Sequence, residues 1–176
     1  VTVLPIWHEE AIARHHDRAG FDCGTPVLND YLRRFARQNH ESGGAKCFVA
    51  VSADAPSRIL GFYTLSPASI EFARVPDDLR RGLGRYDIGV FRLGRLAVDR
   101  DLAGRGLGGQ LLLAAGRRCL AVSQQVGGVA LLIDAKDERA AAWYETFGAL
   151  RLLDTPLSLV LSLATIQAVL KDQLPS

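Results

Sequence analysis

A chain of 176 residues, 48% hydrophobic and 23% charged, has the length and apolar content of one globular domain with a buried core and leaves little room for a second. Its 21 basic residues stand against 19 acidic ones, so a formal charge of +2 does not by itself announce a nucleic-acid partner. Cys23, Cys47 and Cys119 are odd in number, far apart and without metal-ligand spacing; isolated structural thiols in a reducing compartment are expected, and no metal.

No charged-then-apolar leader opens the sequence. The most apolar stretch, 150–170, is interrupted by Arg151, Asp154, Pro156, Ser158, Ser162, Thr165 and Gln167. The expectation is a cytoplasmic protein with no membrane span, organised as a single domain over 1–176. Neither an internal repeat nor a low-complexity linker is present.

In chain order, Thr25 and Pro26 read as an N-cap and first-turn pair. Val27, Leu28, Tyr31, Leu32 and Phe35 then form a helical apolar stripe that runs out near Gly43 and Gly44. Residues 47–51 and 59–65 are β-rich runs joined by turn-forming residues, so an antiparallel hairpin is expected. Between Tyr86 and Val98 a further strand contains Gly89 and Gly94, which point to a bulge or a close approach by a ligand. A glycine-rich turn follows at 103–109, then a helix over 110–122. Residues 129–133 suit a buried strand, 137–147 a helix ending at Gly148, and the stretches near 150 and over 157–163 two final strands. None of the four histidines, His8, His15, His16 and His40, sits at a recognisable motif, and each reads as a surface or helix-end residue.

The most informative segment runs from Leu96 to Leu112. Glycines at 104, 106, 108 and 109 let the backbone touch an anion, and the free N–H groups opening the next helix point toward it. A lone glycine pair is more often only a turn; here the strand before it and the helix after it favour a pyrophosphate site. A Rossmann site would need an acidic residue about twenty positions on, where 122–128 offers only serine and glutamine as polar residues. A nucleotide-hydrolase loop would need a lysine after its second glycine, and none is in place.

Gly104, Arg105, Gly106, Leu107 and Gly108 resemble the acetyl-CoA pyrophosphate loop of the GNAT superfamily, usually Gln or Arg, two residues, Gly, one residue, Gly or Ala. Gly106 and Gly108 match its glycines, while Ala103 stands at the Gln or Arg position. The resemblance implies an α/β GNAT fold, a central mixed, mostly antiparallel twisted sheet flanked by helices, with acetyl-CoA as acetyl donor. The implied cofactor contacts are Leu96, Ala97, Val98, Ala103, Gly104, Arg105, Gly106, Leu107, Gly108 and Gly109, with Arg100 and Arg105 near enough in sequence to supply charge. Backbone N–H groups around Leu96 to Val98 would stabilise the oxyanion, as in related GNAT folds.

Asp134 to Gly148 resembles the helix that carries the general-acid tyrosine in many GNAT enzymes, which implies that Tyr144 protonates the departing thiolate. Trp143 and Phe147 are four apart and share a face, which suits packing. A free α-amine has a pKa of roughly 7.7 to 8.0, so the acceptor has little need of a strong general base.

Phe21-Asp22-Cys23-Gly24, then Leu28, Tyr31 and Leu32, the run Leu93-Gly94-Arg95-Leu96-Ala97-Val98-Asp99 and the Tyr144-Glu145-Thr146-Phe147-Gly148 helix end resemble the toxins that acetylate aminoacyl-tRNA, in matching order over about 20–165. This implies acetyl transfer to the α-amine of aminoacyl-tRNA, stalled translation, a ribbon-helix-helix antitoxin as partner, and a homodimer. Arg33, Arg34 and Arg37 lie on neighbouring faces of one helix, and Arg80, Arg81, Arg85, Arg92 and Arg95 form a second basic cluster, so these eight are the candidate tRNA contacts. Two other readings stay open: a GNAT enzyme for a small amine or a protein N-terminus, and a catalytically silent acyl-CoA-binding regulator.

Overall fold

A computed structural model describes residues 3–173; the ends of the expected 1–176 domain lie outside the described residues. Its strands are β1 (Trp7–Ala11), β2 (Lys46–Ser52), β3 (Ile59–Ile70), β4 (Ile88–Val98), β5 (Ala130–Asp134), β6 (Leu150–Arg151) and β7 (Ser158–Ser162). Its helices are α1 (Pro26–Arg34), α2 (Ala36–Ser42), α3 (Asp77–Arg80), α4 (Leu107–Val126), α5 (Glu138–Glu145) and α6 (Leu163–Asp172). The strands follow the order β1-β2-β3-β4-β5-β7-β6, with β4 and β5 parallel and the pairs β1/β2, β2/β3, β5/β7 and β6/β7 antiparallel. This is the mixed, mostly antiparallel α/β sheet expected. The chain divides into two compact units, one formed by residues up to 66 with 95–112, the other by 67–94 with 113 onward.

In the first unit the expected hairpin is present as β2 and β3, with Lys46 opposite Leu65 and a register shift at Ala50/Val51. β1 pairs with β2 from Trp7 opposite Ser52 to Ala11 opposite Phe48. Apolar patterning does not reveal β1, because an edge strand tolerates charge; two of its five residues are glutamates. The helix expected to run from Pro26 to Gly43 is instead broken at Phe35, whose φ of −118° departs from helical geometry, so that α1 and α2 turn Leu32 and Ala36 into the core. That core joins Ile12, Phe21, Tyr31, Leu32, Val49, Val51, Ile59, Phe62 and Ala97, each fully buried apolar side chain stabilising by roughly 1.5–3 kcal/mol.

At Gly61 of β3 a Cβ would stand 2.8 Å from Leu111 Cδ1 and 2.9 Å from the Ala97 carbonyl oxygen. Only glycine admits the first turns of α4 that closely. The surface assignment of the histidines needs one correction: His16 is 3% exposed. Its Nδ1 accepts from Ala13 N–H at 2.9 Å and its Nε2 lies 3.0 Å from Glu10 Oε1, which satisfies both ring nitrogens locally.

In the second unit Ile70, Val75, Ile88, Val90, Ala130, Leu132, Leu152 and Val160 form the core. At Gly89 the protein's own backbone makes ordinary contacts. Val129 N–H donates to Gly89 O at 3.0 Å, and the Gly128 Cα lies 3.9 Å from where a Gly89 Cβ would stand. After β7 the chain enters α6, which sequence reading did not anticipate, with Ser162 as its N-cap accepting from Thr165 N–H at 3.0 Å.

Candidate active site

The first unit carries the glycine-rich turn expected to cradle an anion. After β4, Asp99 Oδ1 accepts from Asp101 N–H, and the N–H groups of Leu102 and Ala103 bond to the carbonyls of Asp99 and Arg100. Then the pattern changes. From Gly104 to Gly109 no backbone amide finds an acceptor among the described residues; the first helical bond of α4 is Gln110 N–H to Gly106 O, 3.2 Å. Gly104 and Gly106 adopt φ of +75° and +84°, and a Cβ at either would meet nothing within 4 Å. A row of open amides at the start of a 20-residue helix with no acidic residue in its first turn fits a pyrophosphate.

α4 begins at Leu107, three residues earlier than expected, so Leu107, Gly108 and Gly109 belong to the first helical turn and not to the loop. Glycine is a poor helix former, which hid this start; the first turn is where its amides are free. Ala103, at the position where the family pattern has Gln or Arg, is exposed, as is Arg105, which has no ion-pair partner among the described residues. Arg100, also expected to supply charge, is paired: its Nε lies 3.2 Å from Asp22 Oδ2.

That pair belongs to a clamp between Phe21-Asp22-Cys23-Gly24 and the residues ahead of the cradle. Arg100 N–H donates to Asp22 O at 2.9 Å, and Asp22 N–H donates to Asp99 Oδ2 at 3.3 Å. Asp22 Oδ1 accepts from Gly24 N–H and Asn29 Nδ2, and Cys23 N–H donates to Asn29 Oδ1. The Gly24 amide, Asn29 and then Arg100 hold the Asp22 carboxyl below the usual carboxylate range. Sequence reading singled out this stretch by resemblance only; its physical role is to fix where β4 ends and the cradle starts. Leu96, Ala97 and Val98 close β4 just before it.

The second unit carries Tyr144, on α5. Asp137 caps that helix, its side chain accepting from Ala140 N–H at 2.8 Å, and Gly148 follows its end in a left-handed conformation. Tyr144 is 6% exposed, with its ring edge-on to Trp143 at 4.9 Å. Its hydroxyl has no hydrogen-bond partner among the described residues and is not enclosed. Burial, and after it the negative charge of Asp134, push the phenol above the ordinary tyrosine range, so at neutral pH it is protonated. Arg92 Nη1 bonds Asp134 Oδ2 at 2.6 Å and moderates that charge. Trp143 and Phe147 pack on each other, centroids 4.8 Å apart, half-buried.

The candidate tRNA arginines fall into two groups. Arg34 pairs with Asp30, Arg37 with Glu41, Arg80 with Asp77, and Arg92 with Asp134. Arg80 also bonds the carbonyls of Val75 and Ala73. Among the described residues no carboxylate lies within ion-pair distance of Arg33, Arg81, Arg85 or Arg95. Partly exposed pairs such as these are worth about 0–1 kcal/mol, so pairing does not remove an arginine from reach of a phosphate.

Comparison with known proteins assigns the class. A model of the acetyltransferase (GNAT) domain matches residues 43–148, and the chain belongs to the GNAT acetyltransferases. Within that family it groups with the tRNA-acetylating toxins. It is 38% identical over 156 residues to the tRNA-acetylating toxin of Mycobacterium tuberculosis (strain ATCC 25618 / H37Rv), covering 89% of this chain and 92% of that protein. Among solved structures it is similar to AtaT complexed with acetyl-methionyl-tRNAfMet, with a TM-score of 0.87, 25% identity and coverage of 94% of this chain and 99% of that one. It is also similar to a Tyr→Phe mutant of AtaT bound to acetyl-CoA and the C-terminus of the antitoxin AtaR, with a TM-score of 0.79, 26% identity and coverage of 93% and 98%. No described helix is long and apolar enough to cross a membrane.

Proposed function

We propose that this chain is a single-domain toxin that transfers the acetyl group of acetyl-CoA to the α-amino group of aminoacyl-tRNA and thereby blocks translation. The observation that carries this reading is the match, over nearly the whole of both chains, to a tRNA-acetylating toxin, because a GNAT fold alone names no acceptor. The open amides of 104–109 support acetyl-CoA as the donor, with Arg105 beside them and Leu96, Ala97 and Val98 offering backbone donors on the preceding strand end.

Acetyl-CoA supplies an activated thioester. The neutral α-amine bonds to the thioester carbonyl carbon, the carbon–sulfur bond breaks, the sulfur takes the phenolic proton of Tyr144, and the amine nitrogen loses its extra proton to solvent. Tyr144 can take that role because a phenol is protonated at neutral pH and its hydroxyl has no partner among the described residues; the phenolate left behind regains its proton from solvent. Histidine is an unsuitable base where it is buried: both ring nitrogens of His16 are engaged. Arg33, Arg34, Arg37, Arg80, Arg81, Arg85, Arg92 and Arg95 are the arginines offered to RNA phosphates. The proposed partner is a small antitoxin of the ribbon-helix-helix class, the proposed assembly a homodimer, and the proposed site of action the cytoplasm, where tRNA is charged.

The test is transfer of radiolabelled acetyl from acetyl-CoA to a pool of charged tRNA, with uncharged tRNA, polyamines and peptides as alternative acceptors. Label on charged tRNA alone is expected. Label on polyamines or peptides instead would assign a small-amine or N-terminal acetyltransferase, and acetyl-CoA binding without transfer to any acceptor would assign a silent regulator.

A further inference from the structure

Among the described residues two candidate arginines lie over an aromatic ring: Arg80, 5.1 Å from the Phe72 centroid, has its donors taken by Val75, Ala73 and Asp77, whereas Arg95 does not. Its Cζ lies 3.5 Å from the ring centroid of Tyr31, a face-on cation–π contact. The platform is itself fixed: Tyr31 is 5% exposed, its ring is stacked on Phe62 at an interplanar angle of 16°, and its hydroxyl accepts from Asn39 Nδ2 at 3.2 Å. Arg95 is half-buried on β4, yet among the described residues no carboxylate, carbonyl or hydroxyl accepts from its guanidinium. One face is spent on the ring. The N–H donors in the guanidinium plane are left over, held in a fixed orientation.

A planar fork of that kind is matched by two oxygens of one anion, a carboxylate or a phosphate. In charged tRNA the carboxylate of the amino acid is consumed in the ester, so the phosphodiesters are the anions that remain. We propose that Arg95, stacked on Tyr31, takes one backbone phosphate of the charged tRNA and is the pre-organised acceptor contact of this protein, whereas the paired arginines contribute only general attraction. The inference rests on the proposed acceptor, and it adds that one residue, fixed before binding, supplies a discrete phosphate contact.

The measurement is the affinity of the full-length chain for labelled charged tRNA as a function of salt, beside its affinity for acetyl-CoA. Arg95→Gln is expected to weaken RNA binding about ten-fold and to lower the slope of log affinity against log salt by about 0.7–0.9, one phosphate's share, with acetyl-CoA affinity unchanged. Arg95→Lys keeps the charge and is expected to keep the slope while regaining only part of the affinity, because an ammonium makes no planar fork. An unchanged slope and affinity in Arg95→Gln would overturn the proposal, as would a loss of acetyl-CoA affinity, which would assign the guanidinium to the donor. Wild-type protein that neither binds nor acetylates charged tRNA would fail the acceptor reading itself, and that result is read without any variant.

Discussion

The glycine turn proposed as the cradle in the first unit and the tyrosine proposed as the acid in the second are built in opposite ways. From Gly104 to Gly109 the protein presents peptide N–H groups that need no particular side chain, only backbone conformations that glycine reaches cheaply. On α5 the proposed chemistry depends on one phenol, protonated and without an acceptor among the described residues. The difference teaches where substitution is tolerated. A backbone site of the kind proposed here can do without the family's Gln or Arg at Ala103, because peptide donors carry the anion. A side-chain site has no such reserve.

Removing the hydroxyl is therefore the sharpest way to break that contrast. Tyr144→Phe is expected to lower turnover by roughly 10²–10⁴-fold while acetyl-CoA affinity stays within error, measured by steady-state transfer and calorimetry. Unchanged turnover would take Tyr144 out of the mechanism. In the cradle the expected pattern is reversed: Gly106→Val forces a β-branched residue to a φ of +84°, at a cost of about 1–2 kcal/mol, and puts a side chain on the open side of the amides. Acetyl-CoA affinity should fall roughly ten-fold or more. Normal affinity in that variant would show that the amides of 104–109 do not hold the pyrophosphate.

The smallest effect concerns the thiols. Burial pushes Cys47 and Cys119 from the ordinary value of 9.0 up to about 12, so both remain protonated in the folded state where an unfolded thiol ionises. Groups with raised folded values contribute stability that is fully present below about pH 9 and is lost as pH rises from there toward 12; Tyr144 adds to the loss in the same direction above its ordinary range near 10. Alkylation of the folded protein at pH 8, counted by mass spectrometry, should modify only the half-buried Cys23, with Cys47 and Cys119 reacting after unfolding. Early labelling of either buried thiol would contradict the packing described for its unit.

What could be read in the sequence was what is local. The hairpin of β2 and β3, the strand β5, the capped helix α5 and the glycine loop all announce themselves through periodicity or punctuation within a dozen residues. The misses have physical reasons. Two glutamates left β1 without an apolar pattern, and Gly108 and Gly109 disguised the first turn of α4. Ser162 with Thr165 at the start of α6 was a readable cap that the apolar run around it concealed.

Electrostatic partnerships were the least legible, because they close over long separations. Arg92 meets Asp134 across 42 positions, and Arg100 meets Asp22 across the clamp that sets the cradle, so neither arginine is as free as its neighbours in sequence imply. Arg80 with Asp77, Arg34 with Asp30 and Arg37 with Glu41 are exceptions, three- and four-residue spacings visible without a structure. The stacking of Arg95 is likewise a tertiary fact, since Tyr31 lies on α1 and nothing in the local sequence names it as the platform.

The most direct test of the account is the chemical identity of the product. Wild-type protein, acetyl-CoA and a charged tRNA pool are incubated, the tRNA is purified, its ester is hydrolysed in mild base, and the released amino acids are identified by mass spectrometry. The account predicts an amino acid heavier by one acetyl group on its α-nitrogen, absent when acetyl-CoA is omitted and strongly reduced with Tyr144→Phe. Unmodified amino acids alone, from protein that binds acetyl-CoA, would contradict it.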